Sequence, residues 1–168
     1  AIENSIKEER EAKKAESGKS YANTPEAKIK SQNFKDNKAS LPWPVDEGFI
    51  SEEFGKQPHP TLEGVYVDND GIHITTSNNA KAKAVFDGEV RKIVTQRGAG
   101  IAIIVRHGKY YTVYSNLKKA TVNPGEKIEA NDTIGIVRTN DDTGNAELHF
   151  QVWHNFDTLD PQDWLAHK

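Results

Sequence analysis

The sequence contains no cysteine, so no disulfide braces the fold and no thiolate is available as a metal ligand. That absence suits a Gram-negative periplasm and a cytosol equally. No apolar run approaches the roughly 18 residues of a membrane span, and no signal-like segment is visible. The chain opens at Ala1 rather than at methionine, as expected of a mature or trimmed polypeptide whose export signal would no longer be in view. An excess of basic charge is also lacking. Residues 1–38 hold nine Lys/Arg and seven Asp/Glu, a local charge of +2, and the other 130 hold thirteen and eighteen, a local charge of −5. Neither part carries the footprint of a nucleic-acid-binding protein.

What is present is polar and unevenly distributed. Hydrophobic residues make up 35% and charged residues 28% of the 168 residues, with a mean hydropathy of −0.75. The length suits one compact domain and an appendage. Residues Ile2 to Glu16 favour a helix, with Glu3–Lys7 and Glu9–Lys13 placed as i,i+4 pairs. Ile2 and Ile6 share a face, but the apolar stripe then fades into Glu9 and Lys13. Two readings stay open, the frayed end of a longer coiled coil or a solvated tail. Residues 17–40 open on Ser17-Gly18 and run through Asn23-Thr24-Pro25 among many Lys, Ser and Asn. That texture predicts a linker rather than an element that packs.

From Leu41 the texture changes. Leu41-Pro42-Trp43-Pro44-Val45 is an apolar, proline-stiffened entry. Short β-rich runs follow near Gly71–Thr75, Gly88–Thr95, Ile101–Arg106, Lys109–Tyr114, Lys127–Ile128, Thr133–Val137 and Glu147–Trp153. Asp87-Gly88, His107-Gly108 and Pro124-Gly125 are turn dipeptides, and the second joins two β-rich runs as a hairpin does. No long helical period appears after residue 41. The expectation is a mostly β domain over 41–168, of about 125 residues and one core, preceded by a helical tail and linker over 1–40.

The order of short motifs resembles that of the LytM, or lysostaphin-type, zinc endopeptidases that cleave peptidoglycan crosslinks. The pieces are Asn69-Asp70-Gly71-Ile72-His73-Ile74, Ala84-Val85-Phe86-Asp87-Gly88-Glu89-Val90, Ile103-Ile104-Val105-Arg106-His107-Gly108 and Tyr111-Thr112-Val113-Tyr114-Ser115-Asn116-Leu117. Val122-Asn123-Pro124-Gly125-Glu126 and Ile134-Gly135 lead on to Glu147-Leu148-His149-Phe150-Gln151-Val152, and Asp160-Pro161 with Trp164-Leu165 closes the run. Each piece is weak alone. In this order they imply the LytM-type antiparallel β-sheet over residues 41–168.

In active members the resemblance implies a zinc held by a His, an Asp four residues on, and the second His of a His-x-His strand. The first His of that strand and a His in a Tyr-x-His-Leu stretch assist catalysis. Carried over position by position, the first ligand is Asn69, the aspartate ligand is His73, and the catalytic histidine after Tyr114 is Asn116. Glu147 stands for the other catalytic histidine, and His149 alone is as the family has it. A catalytic zinc needs three protein ligands and an open position for water, and the amide of Asn69 is a poor ligand. Glu147 and His149 lie two apart and face one way on a strand, so a rearranged His73/Glu147/His149 site stays open as an alternative. Even then Asn116 exchanges no proton near neutral pH, whereas histidine does. The expectation is therefore a pseudo-peptidase without cofactor, with Asn69, His73 and His149 as vestigial metal positions and Asn116 and Glu147 as vestigial catalytic ones.

Each surviving residue also has a structural reading. A strand histidine such as His149 is more often hydrogen-bonded in a groove or core than a ligand. His107 before Gly108 reads as a structural turn residue, and His59, His154 and His167 have no constellation around them. Trp43, Trp153 and Trp164 read as packing residues. Tyr110 and Tyr111 fall on opposite strand faces, one toward the core and one exposed.

Degenerate members of the family resemble the EnvC and NlpD class of murein hydrolase activators. The resemblance implies a periplasmic or cell-envelope protein whose groove, formed by Asn69, His73, Asn116, Glu147 and His149, docks and activates an N-acetylmuramoyl-alanine amidase during cell separation. Peptidoglycan, and an inner-membrane division complex reached through an upstream coiled coil, are the further implied partners. Nucleic acid is not one. A peptidoglycan-binding module without activator role and a residual zinc endopeptidase are the alternatives.

Overall fold

A computed structural model describes residues 25–58 and 61–166. The helical tail expected over residues 2–16 lies outside them. The first element is helix α1 (Pro25–Asp36), followed by strands β1 (Phe49–Glu52), β2 (Gly55–Pro58), β3 (Tyr66–Asn69), β4 (Ile72–Thr76) and β5 (Lys81–Lys83). Strands β6 (Gly88–Gln96), β7 (Gly100–His107), β8 (Tyr110–Ala120) and β9 (Lys127–Ile128) come next, then β10 (Thr133–Val137), β11 (Ala146–His154) and β12 (Asp157–Leu159). The last element among the described residues is a 3-10 turn at Pro161–Asp163. No helix among the described residues is long and apolar enough to cross a membrane.

One sheet runs in the order β1-β4-β11-β8-β7-β6-β9, with every pairing antiparallel. Strand β10 joins β8 to β5, β12 pairs with β11, and β2 and β3 form a separate two-stranded ribbon. All seven strands expected from the sequence are present within a few residues, and the mostly β, LytM-type sheet holds. The central strands β7 and β8 are buried on both faces, which is why they read as nearly continuous apolar runs instead of alternating ones. On one face Ile103, Val105, Tyr114, Phe150 and Val152 belong to the main core. On the other, Ile104, Tyr111, Val113 and Trp153 form a small second cluster. Tyr110 and Tyr111 do fall on opposite faces, but both rings are buried, because the second face is covered too.

The linker reading fails over residues 25–36. Pro25 occupies the start of α1, where its missing N–H costs nothing, and Phe34 is fully buried. Its ring stacks on Tyr110 at 4.8 Å and on His107 at 4.9 Å, with Trp164 at 5.0 Å and Phe86 at 5.6 Å. The helix is polar, and Ile29 stays exposed. Among the described residues Phe34 is the helix's one buried apolar side chain, too little for a periodic signal. The ends of the body meet beside it: Leu41 N–H donates to Trp164 O at 3.1 Å, Ala166 N–H to Leu41 O at 2.8 Å, and Trp43 Nε1 to Ala166 O at 2.7 Å. Trp43, Trp153 and Trp164 all pack, as expected.

Candidate functional site

Three adjacent strands, β4, β11 and β8, build a cleft of about 430 Å³. Register decides what faces it. His149 pairs with His73 on β4 and with Ser115 on β8, so the three side chains stand side by side on one face. Glu147 and Gln151, two residues either way along β11, share that face. Asn69, at the end of β3, comes in from the ribbon and lies beneath the histidines, buried to 6% exposure. All five positions singled out from the sequence meet at this place. His73, Asn116, Glu147 and His149 line the cleft, and Asn69 supports it from below.

The hydrogen bonds around Asn69 fix the state of His149. Asn69 Nδ2 donates to Glu53 O at 3.1 Å, and Asn69 Oδ1 accepts from the Gly71 N–H at 3.2 Å, which orients the amide. The contact of 2.9 Å between His149 Nε2 and Asn69 Oδ1 therefore requires the proton on Nε2. On the other side, Trp153 Nε1 donates to Gln151 Oε1 at 2.8 Å, which turns Gln151 Nε2 toward His149 Nδ1 at 3.4 Å. His149 is thus a neutral imidazole with both nitrogens engaged. Burial, and secondly the charge of His73, lower its pKa to about 4.

His73 lies flat over His149, with ring centroids 4.5 Å apart and 27° between planes. Its Nδ1 is 2.8 Å from Glu52 Oε2, so that nitrogen carries a proton, and the 3.5 Å approach of Asn69 Nδ2 is packing between two donors. Glu147 Oε1 is 3.9 Å from His73 Nε2, and Ser51 Oγ lies 3.4 Å from Glu147 Oε2. Asn116 sits at φ 65°, where β8 leaves its pairing with β11 at Ser115 and takes up β10 at Leu117. Asn116 Nδ2 donates to Glu147 O at 2.5 Å, and its Oδ1 accepts from Arg138 Nη1 at 3.3 Å.

Zinc is the group the resemblance implies here, and the donor set does not fit it. Nε2 of His149 is spent on Asn69 Oδ1, the two imidazoles stack instead of converging, and Nδ1 of His73 faces a carboxylate. Among the described residues no group of three or more His, Cys, Asp or Glu is placed to hold a metal ion. The rearranged His73/Glu147/His149 set does not converge either, since stacked rings direct their lone pairs sideways.

One polar atom in the cleft stands out. Ser115 is 5% exposed, and its Oγ has no hydrogen-bond partner among the described residues. Sequence reasoning missed Ser115, as it did Glu52, Gln151 and Arg138. Glu52 reaches His73 only through the β1–β4 pairing, and Arg138 reaches Asn116 through a crossing between β10 and β8, so neither has a local signal. Gln151 had one, the two-residue period that puts it on the face of His149, whereas Ser115 comes beside His149 through the β8–β11 register. His107, away from the cleft, is structural as expected. It is fully buried, with Nδ1 2.7 Å from Asp87 O and Nε2 2.8 Å from Thr112 Oγ1, which lies 2.9 Å from the Tyr114 hydroxyl.

Fold and cleft together describe a peptidase-like sheet with an altered site. The chain belongs to Peptidase family M23, which matches it over residues 67–161. It is 28% identical over 125 residues to the murein hydrolase activator EnvC of Escherichia coli, covering 74% of this chain and 28% of that protein. A similar stretch, 26% identical over 115 residues, is found in an uncharacterized metalloprotease of Buchnera aphidicola, covering 68% of this chain and 31% of that one. The chain thus spans about three tenths of the length of these curated relatives. Among solved structures, a zinc-containing peptidase from Vibrio cholerae superposes with a TM-score of 0.66 at 24% identity, covering 77% of this chain and 41% of that one. That likeness shows the fold.

Proposed function

We propose that this chain is a non-catalytic, peptidase-like module of the cell envelope that docks and activates an N-acetylmuramoyl-alanine amidase. The observation that carries the reading is the buried hydroxyl of Ser115, unpartnered among the described residues, in a cleft where both ring nitrogens of His149 are already engaged. An orphaned buried hydroxyl costs about 1–3 kcal/mol, and a docked segment that offers it a polar atom recovers that cost. The carboxylates of Glu52 and Glu147, both 39% exposed at the mouth beside His73, favour a segment that brings a donor or a cation. The similarity to EnvC supports an amidase as the protein that supplies the segment. A periplasmic or cell-envelope location, and a division complex reached through an upstream segment, belong to the same reading, and the similarity to EnvC supports the first of them. An activator of this kind works only by binding the open state of the amidase more tightly than the closed one.

The test mixes the purified chain with each peptidoglycan amidase of its source organism and follows dye release from labelled sacculi. Stimulation that Ser115→Phe abolishes is the expected result. If no amidase responds, the activator reading is wrong. Sacculus binding in that case marks a peptidoglycan-binding module, and crosslink cleavage abolished by a chelator marks a zinc endopeptidase.

A further inference from the structure

The β8–β11 pair has the cleft at one end, where Ser115 faces His149, and Tyr110 facing His154 at the other. Five residues of strand separate the two, about 17 Å at 3.4 Å per residue. At that far end α1 and the β7–β8 turn enclose a second cavity, of about 400 Å³. Lys28 and Lys35 line it from α1, seven residues and so two turns apart on one helix face. Lys109 lines it from the turn.

Main-chain hydrogen bonds tie down the turn that forms one wall of the cavity. The main chain of Lys109 is held on both sides, its N–H donating to Ser31 Oγ at 2.7 Å and its carbonyl accepting from Asn155 N–H at 2.9 Å. Tyr110 lies against His154 at 4.6 Å, Phe34 at 4.8 Å and Trp164 at 5.2 Å. The charges are one-sided. Among the described residues none of the three ammonium groups has a carboxylate partner, whereas Lys83 on the same body pairs with Asp46 at 2.6 Å. The carboxylate of Asp36, at the end of α1, accepts from Gln32 Nε2 at 2.7 Å. The Tyr110 hydroxyl also has no hydrogen-bond partner among the described residues, and burial raises its pKa, which keeps it a neutral donor.

Three like charges around one hollow, with no carboxylate partner among the described residues, favour an anion between them. A carboxylate offers two oxygens and one charge. A phosphate group offers three oxygens and close to two charges at neutral pH, which better matches three ammonium groups and a phenol. We propose that this cavity between α1 and the β7–β8 turn binds a phosphate-bearing group, supplied either by a soluble phosphate ester or by a lipid headgroup. The site is independent of the cleft and uses none of its residues.

The experiment uses the full chain, labelled with ¹⁵N. Inorganic phosphate is titrated in at constant ionic strength, with chloride as control, and the amides of Ser31, Lys109 and Tyr110 are followed. A parallel arm measures co-sedimentation with vesicles containing phosphatidic acid, whose headgroup is a phosphomonoester, against phosphatidylcholine vesicles. Saturable shifts with phosphate support the site and a soluble ester. Saturable binding to the anionic vesicles alone supports the site and a lipid headgroup. In either case Lys35→Gln with Lys109→Gln weakens binding by at least about tenfold, and Lys28→Gln alone reads the same direction should the double variant melt early. The proposal is overturned if neither probe saturates, if chloride reproduces the shifts, or if the lysine variants bind as the native chain does.

Discussion

Asn116 donates its side-chain amide to the main-chain carbonyl of Glu147 while its own backbone is held at φ 65°. The position that the resemblance assigns to a catalytic imidazole is occupied here by a residue that stabilises a kink. Asparagine tolerates the left-handed region better than other non-glycine residues, and its amide ties the kink in β8 to the start of β11.

Two variants separate those roles. Asn116→Gly keeps the backbone relaxed and loses only the hydrogen bonds, for an expected destabilisation of about 1 kcal/mol. Asn116→Ala loses the bonds and adds left-handed strain, for about 2–3 kcal/mol in all. Urea unfolding at equal slope distinguishes them. Equal losses for the two would mean that the backbone angle is not the constraint.

The protonation of His149 makes a pH prediction. Its folded pKa of about 4 lies below the ordinary value of 6.5, so the unfolded chain binds the proton more readily. Stability is then highest above pH 6.5 and falls as the pH drops toward 4, by about 3 kcal/mol from this group once both states are protonated. Asn69 would in that range still accept from Nε2, but Nδ1–H would face the Gln151 amide N–H, donor against donor. Imidazole ¹⁵N shifts should report the Nε2–H tautomer at pH 7. His149→Gln should flatten the stability profile between pH 6.5 and 4. A native His149 that titrates near 6.5 would remove the argument.

The reach of α1 is tested at Phe34. Truncation to alanine empties a fully buried aromatic site and should cost about 3–5 kcal/mol. The loss is expected to be local, because Phe34 touches the end of the β8–β11 pair away from the cleft. Hydrogen exchange should show α1 amides released while those of His149 and Ser115 keep their protection. Uniform loss of protection would mean that α1 is integral to the sheet's folding unit.

How far the molecule could be read from its sequence follows the physics of each element. Strands β6, β7 and β8 are long, apolar and bounded by Asp87-Gly88 and His107-Gly108, so their signal is local. Strands β1, β2, β3, β5 and β12 are three or four residues of mostly polar chain, and they become strands only because a neighbour offers a ladder edge. Helix α1 hangs on Phe34, a single residue with no period to announce it. Asn69, His73, Asn116, Glu147 and His149 were placed by motif order, and strand register explains why they meet. What no local pattern carried was Glu52 beside His73 and Arg138 beside Asn116, contacts made across strands far apart in the chain.

The mismatch between this cleft and zinc can be reversed in steps, and the steps make separate predictions. Asn69→His with His73→Asp supplies an imidazole and a carboxylate where the resemblance places them, and it removes both the amide that engages His149 Nε2 and the ring stacked on it. His149 is then free to complete a three-ligand set with an open position. The double variant should hold one zinc per chain through dialysis, measured by atomic absorption, with the native chain as reference. It should still not cleave crosslinks, because Asn116 and Glu147 cannot do the work of two imidazoles near pH 7. Adding Asn116→His and Glu147→His is the step at which hydrolysis can appear, at some cost in stability because the kink loses its asparagine. Retention of zinc by the native chain at the same stoichiometry would show that the stacked histidines rearrange around metal, and the reading of the cleft as a docking surface would have to be given up.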